Sequence, residues 1–128
     1  MGNPTTDRLL ICDDIFADLL LFICKFRFHK IFIGGDFIVD LDVANQVSDF
    51  VNGFLFDNAL ERSDKLFSSN IIFPCRIGTY FNDITGREIV IDYLVTNDKC
   101  AVRNLEVLDP HVNFSDHRPV AVYVQLSK

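Results

Sequence analysis

Ile31-Phe32-Ile33-Gly34-Gly35-Asp36-Phe37 is the stretch on which the fold of this 128-residue chain turns. A continuous apolar run closed by two glycines predicts a short strand buried on both faces, with the glycines marking its carboxyl end. Upstream, Thr6 or Asp7 is placed to cap a helix from Arg8 to Lys25, with Leu9, Leu10, Phe16, Leu19, Leu20 and Ile23 as its apolar stripe. Residues 1–8 are expected to fray. Downstream, Val43, Val47, Phe50, Val51 and Phe54 recur at helical spacing between Val43 and Asn58, and Asp40 and Asp42 stand where carboxylates favour the helix dipole. Short strands follow: Ile71 to Phe73, Thr79 to Phe81, Glu88 to Thr96, Val102 to Leu108 and Pro119 to Leu126. The last alternates, with Val120, Val122 and Val124 on one face and Ala121, Tyr123 and Gln125 on the other. Helix, strand, helix and then strands predict an α/β (α+β) class in a single unit, residues 1–128.

The composition is apolar for such a chain. Hydrophobic residues make up 49% and charged residues 23%, with 13 Phe and no Trp. Mean hydropathy is +0.22, the reverse of the balance that marks disorder. Net charge is −6, and the one basic cluster, Lys25, Arg27, His29 and Lys30, is short and interleaved with Phe26 and Phe28, so it reads as a polar edge and not a phosphate-binding stripe. Acidity does not exclude a nucleic-acid enzyme that gathers carboxylates around a cation. Cys12, Cys24, Cys75 and Cys100 form no CxxC pair and have no histidine at zinc-finger spacing; Cys12 and Cys24 read as structural thiols. No secretory leader is read, so a reducing, intracellular compartment (nucleus or cytoplasm) is expected. Ile15 to Ile23 is interrupted by Asp18 and followed at once by Lys25 and Arg27, short of the about 20 apolar residues that a membrane span needs.

Three short sequences carry chemistry. Gly35-Asp36-Phe37 closes the first strand; Ile91-Asp92-Tyr93 puts an acid inside an apolar strand; Ser115-Asp116-His117-Arg118-Pro119 directly precedes the last strand. A carboxylate buried in a strand needs a partner, because an unpaired buried charge costs several kcal/mol. Carboxylates at the mouths of neighbouring strands converge at one sheet edge, where open α/β folds bind ligands. A histidine beside them adds a group that moves protons near neutral pH.

Together the three motifs resemble the carboxyl-terminal half of the endonuclease/exonuclease/phosphatase superfamily, the DNase I-like enzymes. Ile31 to Phe37 is similar to that family's strand ending in Gly-Asp-Phe-Asn, Val90-Ile91-Asp92-Tyr93-Leu94-Val95 to its penultimate acidic strand, and Ser115-Asp116-His117-Arg118-Pro119-Val120 to its terminal Ser-Asp-His signature. Thr79 falls where endonucleases of non-LTR retrotransposons, the nearest flavour, carry a threonine ahead of the acidic strand. The resemblance implies half of a four-layer α/β sandwich: one mixed β-sheet with helices packed on one face. It implies Mg²⁺- or Mn²⁺-dependent phosphodiester hydrolysis, with DNA as partner. Asp36 would orient or deprotonate the attacking water, Asp116 would hold the cation, and His117 would contact phosphate or transfer a proton. Asp92 would orient His117, and Ser115 and Thr79 would be supporting hydroxyls.

Two departures bear on activity. Ile38 stands where the family motif has its Asn, whose amide donates to the phosphate. Nothing before Asp36 resembles the family's early Asn and Glu strands; Asp13, Asp14 and Asp18 read as a solvated helix face. The expectation is a partial, degenerate domain whose apolar sheet face meets a missing half or another molecule. Its alternatives are a non-catalytic remnant, a protein-interaction module using that face, and an inositol- or lipid-phosphate substrate.

Overall fold

The computed structural model describes residues 4–66, 78–82, 84–108 and 115–126. The strand expected over Ile71 to Phe73, and Cys75 with it, lie outside these residues. Helix α1 spans Pro4–Lys25, so residues 4–8, expected to fray, are helical. Proline suits a first turn: it lacks only an N–H that would have no intrahelical acceptor, and its φ is already helical. Thr6 and Asp7 therefore lie inside the helix and do not cap it. Ile23 is buried and Leu9, Cys12, Phe16 and Phe26 pack partly buried against the core, at spacings of three, four and seven residues that keep one helix face inward. Leu10 and Leu20, expected on that stripe, are 61% and 41% exposed. Cys24 is exposed, whereas burial pushes the pKa of the Cys12 thiol up and keeps it in its inert form.

Helix α2 spans Gln46–Asp57 and starts later than the periodicity implied, because Asn45 caps it. The Asn45 side chain accepts from the Ser48 N–H at 2.9 Å and Ser48 Oγ accepts from the Asn45 N–H at 3.0 Å, a reciprocal capping box. Val47, Val51 and Leu55 face inward, and Phe50 and Phe54 meet the Phe16 ring of α1 at centroid distances of 5.9 and 4.6 Å.

Among the described residues the strands form three antiparallel sheets and not the single mixed sheet that the family resemblance implied. In the first, β1 (Phe32–Asp36) and β2 (Glu61–Arg62) flank the later β5 (Asp92–Thr96). The second pairs β3 (Tyr80–Phe81) with β4 (Glu88–Ile89), and the third pairs β6 (Val102–Val107) with β7 (Val120–Val124). A local hydrogen bond explains why residues 88–96 do not run as one strand. Thr79 Oγ1 accepts from the N–H groups of Ile91 at 3.0 Å and Asp92 at 3.1 Å, so backbone donors that a continuous ladder would use go to a side chain. The chain breaks at Val90 and Ile91 and enters a new sheet at Asp92.

The β1–β5 register pairs Ile33 with Val95, Gly34 with Leu94 and Asp36 with Asp92. Directly opposed residues share a face, and successive ones alternate. Ile33, Tyr93 and Val95 thus face the helices and join the core with Val39, Leu41, Val47, Val51, Leu55 and Leu60. The other face presents Phe32, Gly34, Leu94, Asp36 and Asp92; with Val120, Val122 and Val124 of β7 it borders a cavity of about 560 Å³. The strand expected to be buried on both faces is therefore buried only against the helices, and its last three residues are exposed.

A charged latch closes the helix side of the sheet. The Arg62 guanidinium is buried beneath the Tyr93 ring, 4.6 Å from its centroid, and bonds Asp64 at 2.6 Å and Asp42 at 2.8 Å. Asp42 therefore pairs with Arg62 and Lys65, not with a helix dipole. Burial disfavours the Arg62 charge, but the hydrogen bonds it donates to Asp64 and then Asp42 outweigh this and hold its pKa above the ordinary value. The Tyr93 hydroxyl accepts from the Leu41 N–H at 3.0 Å and donates to the Val90 carbonyl at 2.7 Å, tying the loop after β1 to the start of β5. Arg62→Ala removes the hydrogen bonds to Asp64 and Asp42 and the ring contact; it is expected to cost about 2–3 kcal/mol, read as a lowered urea midpoint at unchanged slope.

Candidate active site

The β1–β5 register sets Asp36 and Asp92 directly opposite each other on one face. Like charges so placed repel, and a cation or a donor between them relieves it. His117 takes that place. Its Nδ1 lies 2.8 Å from Asp92 Oδ2, and its Nε2 lies 3.6 Å from Asp36 Oδ2 and 4.0 Å from Asp116 Oδ1. An ionised carboxylate only accepts, so Nδ1 carries the proton given to Asp92 and Nε2 faces the two outer acids. The hydrogen bond to Asp92 raises the His117 pKa above its ordinary value; burial opposes this, and the charges of Asp92, Asp36 and Asp116 add to it.

Each group is held by a local device. Asp36 Oδ1 accepts from the Ile38 N–H at 2.7 Å, an Asx turn that leaves Oδ2 toward His117. The Phe37 N–H donates to the Ile91 carbonyl at 2.8 Å and extends the ladder past Asp36. Thr79 is buried, and its hydroxyl fixes the backbone of Ile91 and Asp92. It thus positions Asp92 and does not face the cavity. Ser115 Oγ accepts from the His117 N–H at 3.1 Å and shapes the turn that carries the histidine. The Phe81 N–H donates to the Asp116 carbonyl at 2.9 Å and the Arg118 N–H to the Thr79 carbonyl at 2.7 Å, zipping residues 116–118 onto residues 79–81.

All six residues singled out in the sequence thus lie in one neighbourhood, in different roles. Asp36, Asp92 and His117 each offer a ligand atom within 4.8 Å of the others, and are the only such group of three or more metal-binding side chains among the described residues. Asp116 stands at the exposed rim, with 55% of its side chain accessible. Sequence reasoning missed Tyr80, whose ring packs edge-on against the imidazole with centroids 5.1 Å apart, and the Gly78, Glu88 and Arg118 contacts behind it. Tyr80 adjoins Thr79 and Arg118 adjoins His117, so proximity in sequence was the one available signal.

Asp13, Asp14 and Asp18 lie on exposed positions of α1. Ile38, at the position of the family's Asn, has φ of 64° and is 57% exposed. That left-handed conformation is strained for a β-branched residue and tolerated by Asn.

Comparison with protein-family models gives no match, and comparison with curated proteins gives none.

The donor set suits two kinds of chemistry. Two carboxylates on one face with a third at the rim provide hard oxygen ligands for a divalent cation. His117 Nδ1 is committed to Asp92, so its contribution is at Nε2: an N–H donor when charged and a proton acceptor when neutral. Two outcomes follow. Ile38→Asn is expected to stabilise the chain by about 1 kcal/mol, because it relieves a left-handed β-branched residue that buries little; a lowered urea midpoint would contradict this. His117 has a raised folded-state pKa, so its stabilisation is complete below the unfolded value of about 6.5 and is lost as pH rises through the folded value. The urea midpoint of the wild type should fall over that window, and that of His117→Gln should stay flat there.

Proposed function

We propose that this chain is the carboxyl-terminal half of an endonuclease/exonuclease/phosphatase-type domain, built for phosphodiester hydrolysis of DNA and depleted in catalytic groups. The observation that carries this reading is the Asp92–His117–Asp36 constellation, in which the Nδ1 bond of 2.8 Å orients an imidazole whose Nε2 looks toward two more acids. It joins residues from the three motifs that resemble the family.

In this reading Asp36 orients the attacking water and accepts its proton. His117 is held by Asp92, whose hydrogen bond favours the protonated ring, and in that form it donates from Nε2 to a phosphate oxygen. Asp92, Thr79 and Ser115 fix the imidazole and its loop. Mg²⁺ suits a hard oxygen donor: Asp116 would hold it with substrate phosphate, and when bound it would supply charge neutralisation at phosphorus. Two family groups lack counterparts. Ile38 cannot donate to the phosphate, a loss on the order of 10²–10³ in rate. Among the described residues before Asp36 none stands in for the early Asn and Glu, since Asp13, Asp14 and Asp18 lie on an exposed helix surface. A second reading, a non-catalytic module that associates through its sheet face, is favoured by Phe32, Leu94, Val120, Val122 and Val124 around the cavity.

The purified chain should leave supercoiled plasmid intact in Mg²⁺ or Mn²⁺, while a short oligodeoxynucleotide shifts the His117 side-chain resonances in NMR. Metal-dependent nicking that vanishes in Asp36→Ala or His117→Ala would show a competent site. Unshifted His117 resonances at saturating oligonucleotide would remove DNA from the reading and leave the association module.

A further inference from the structure

We propose that Arg118, through Glu88 and Gly78, is the positioning residue that keeps the His117 imidazole on Asp92. The proposal rests on the reading of His117 as the working group of the site. Its Nη1 donates to the Gly78 carbonyl at 2.9 Å and its Nη2 to Glu88 Oε1 at 2.7 Å. Glu88 Oε2 in turn accepts from the Gly78 N–H at 3.3 Å, which closes a ring of three residues from three segments. The Arg118 N–H to Thr79 carbonyl bond of 2.7 Å adds a main-chain tie beside it.

The geometry explains why these residue types stand there. A guanidinium holds donors on two separate nitrogens in a rigid planar fork, whereas an ammonium has its donors on one nitrogen at the end of a flexible stem. The backbone at residue 78 approaches β4 so closely that a Cβ would come within 2.7 Å of the Glu88 Cβ and 2.9 Å of the Ile89 nitrogen, so only glycine fits. The hydrogen bond from Arg118 lowers the Glu88 pKa below its ordinary value, and the Gly78 N–H contributes less, so the acid stays charged and the clamp closed at neutral pH.

The consequence for the site is mechanical. His117 sits on a loop segment, and Asp92 begins β5; no ladder of β5 includes residue 117. What brings the loop to β5 is the strip of residues 78–81, bonded to the loop by Phe81 and Arg118 and to residues 91 and 92 by the Thr79 hydroxyl. The clamp ties both ends of that strip's first residue, Gly78, to its neighbours. Opening it frees the loop to carry the imidazole off Asp92 while the β6–β7 sheet remains paired.

The test follows the bridging proton between His117 Nδ1 and Asp92 as a far-downfield NMR resonance, assigned by its absence in His117→Ala. In Arg118→Ala its exchange with water should rise about tenfold or more, the factor that loss of a charge-assisted hydrogen bond carries, with β6–β7 amide protection unchanged. Arg118→Lys should fail to restore it, because one ammonium does not span Gly78 and Glu88. Should Arg118→Ala unfold, Glu88→Gln decides alone: it keeps the shape, loses the charge and is expected to raise the exchange rate in the same direction. Wild-type exchange rates in the folded variants, or no bridging resonance in the wild type, would overturn the proposal. No substrate enters this measurement, so absent nicking or absent oligonucleotide binding counts only against the hydrolase reading.

Discussion

Two carboxylates set face to face across β1 and β5 are the constraint around which this molecule is arranged. The antiparallel register puts Asp36 and Asp92 on one sheet face, where like charges repel unless something cationic or hydrogen-donating enters. His117 enters from a distant loop and donates to the inner acid at 2.8 Å. The side chains grade outward in exposure, from 19% at Asp92 through 30% at His117 to 44% at Asp36. The inner carboxylate therefore depends most on the imidazole, and the outer one stays open to solvent and to any ligand.

That arrangement requires the sheet to be broken. If residues 88–96 ran as one strand, their backbone donors would be spent on a ladder and the strip of residues 78–81 would have no hold on Asp92. The Thr79 hydroxyl takes two of those donors and ends the continuity, so one buried side chain both divides the sheets and fixes the acid. On the opposite face of β5, Tyr93 anchors the same turn of chain from behind, with Arg62 beneath its ring and its hydroxyl between Leu41 and Val90. Successive residues of one strand thus serve two purposes, Asp92 the site and Tyr93 the core, because a strand alternates its faces.

The helices and the first strand were legible in the sequence because they follow local rules. The spacing of Val47, Phe50, Val51 and Phe54 reports burial directly, and the apolar run before Gly34-Gly35 reports a strand, though one packed on a single face and continuing to Asp36. Their ends were less legible, since Asn45 caps through a reciprocal bond with Ser48 and Pro4 initiates a helix where polar residues suggested fraying. The members of the site were legible as residues: an acid in an apolar strand and a histidine beside an acid are costly to place without a partner. Their roles were not, because roles follow from register and from contacts distant in sequence. Nothing local tells that the Thr79 hydroxyl accepts from the N–H groups of residues 91 and 92, or that Arg118 reaches back to Gly78 and Glu88. The single mixed sheet was expected from the family's architecture, and a side-chain hydrogen bond that no periodicity encodes divides it.

Ile38 separates what the backbone does from what the side chain does. Its left-handed φ of 64° is not the choice of a β-branched residue; it is imposed by Asp36 Oδ1, which accepts the Ile38 N–H, and by the ladder bond from Phe37 just before it. The turn therefore depends on the acid, and the residue at position 38 only tolerates or resists it. An asparagine there would both tolerate the conformation and supply a donor at the rim of the site. Isoleucine does neither, yet Asp36 keeps its orientation toward His117 because the turn is made by atoms other than the Ile38 side chain. Catalytic competence and the geometry of the acid pair are thus separable at this corner, so an ordered Asp92–His117–Asp36 arrangement does not by itself entail turnover.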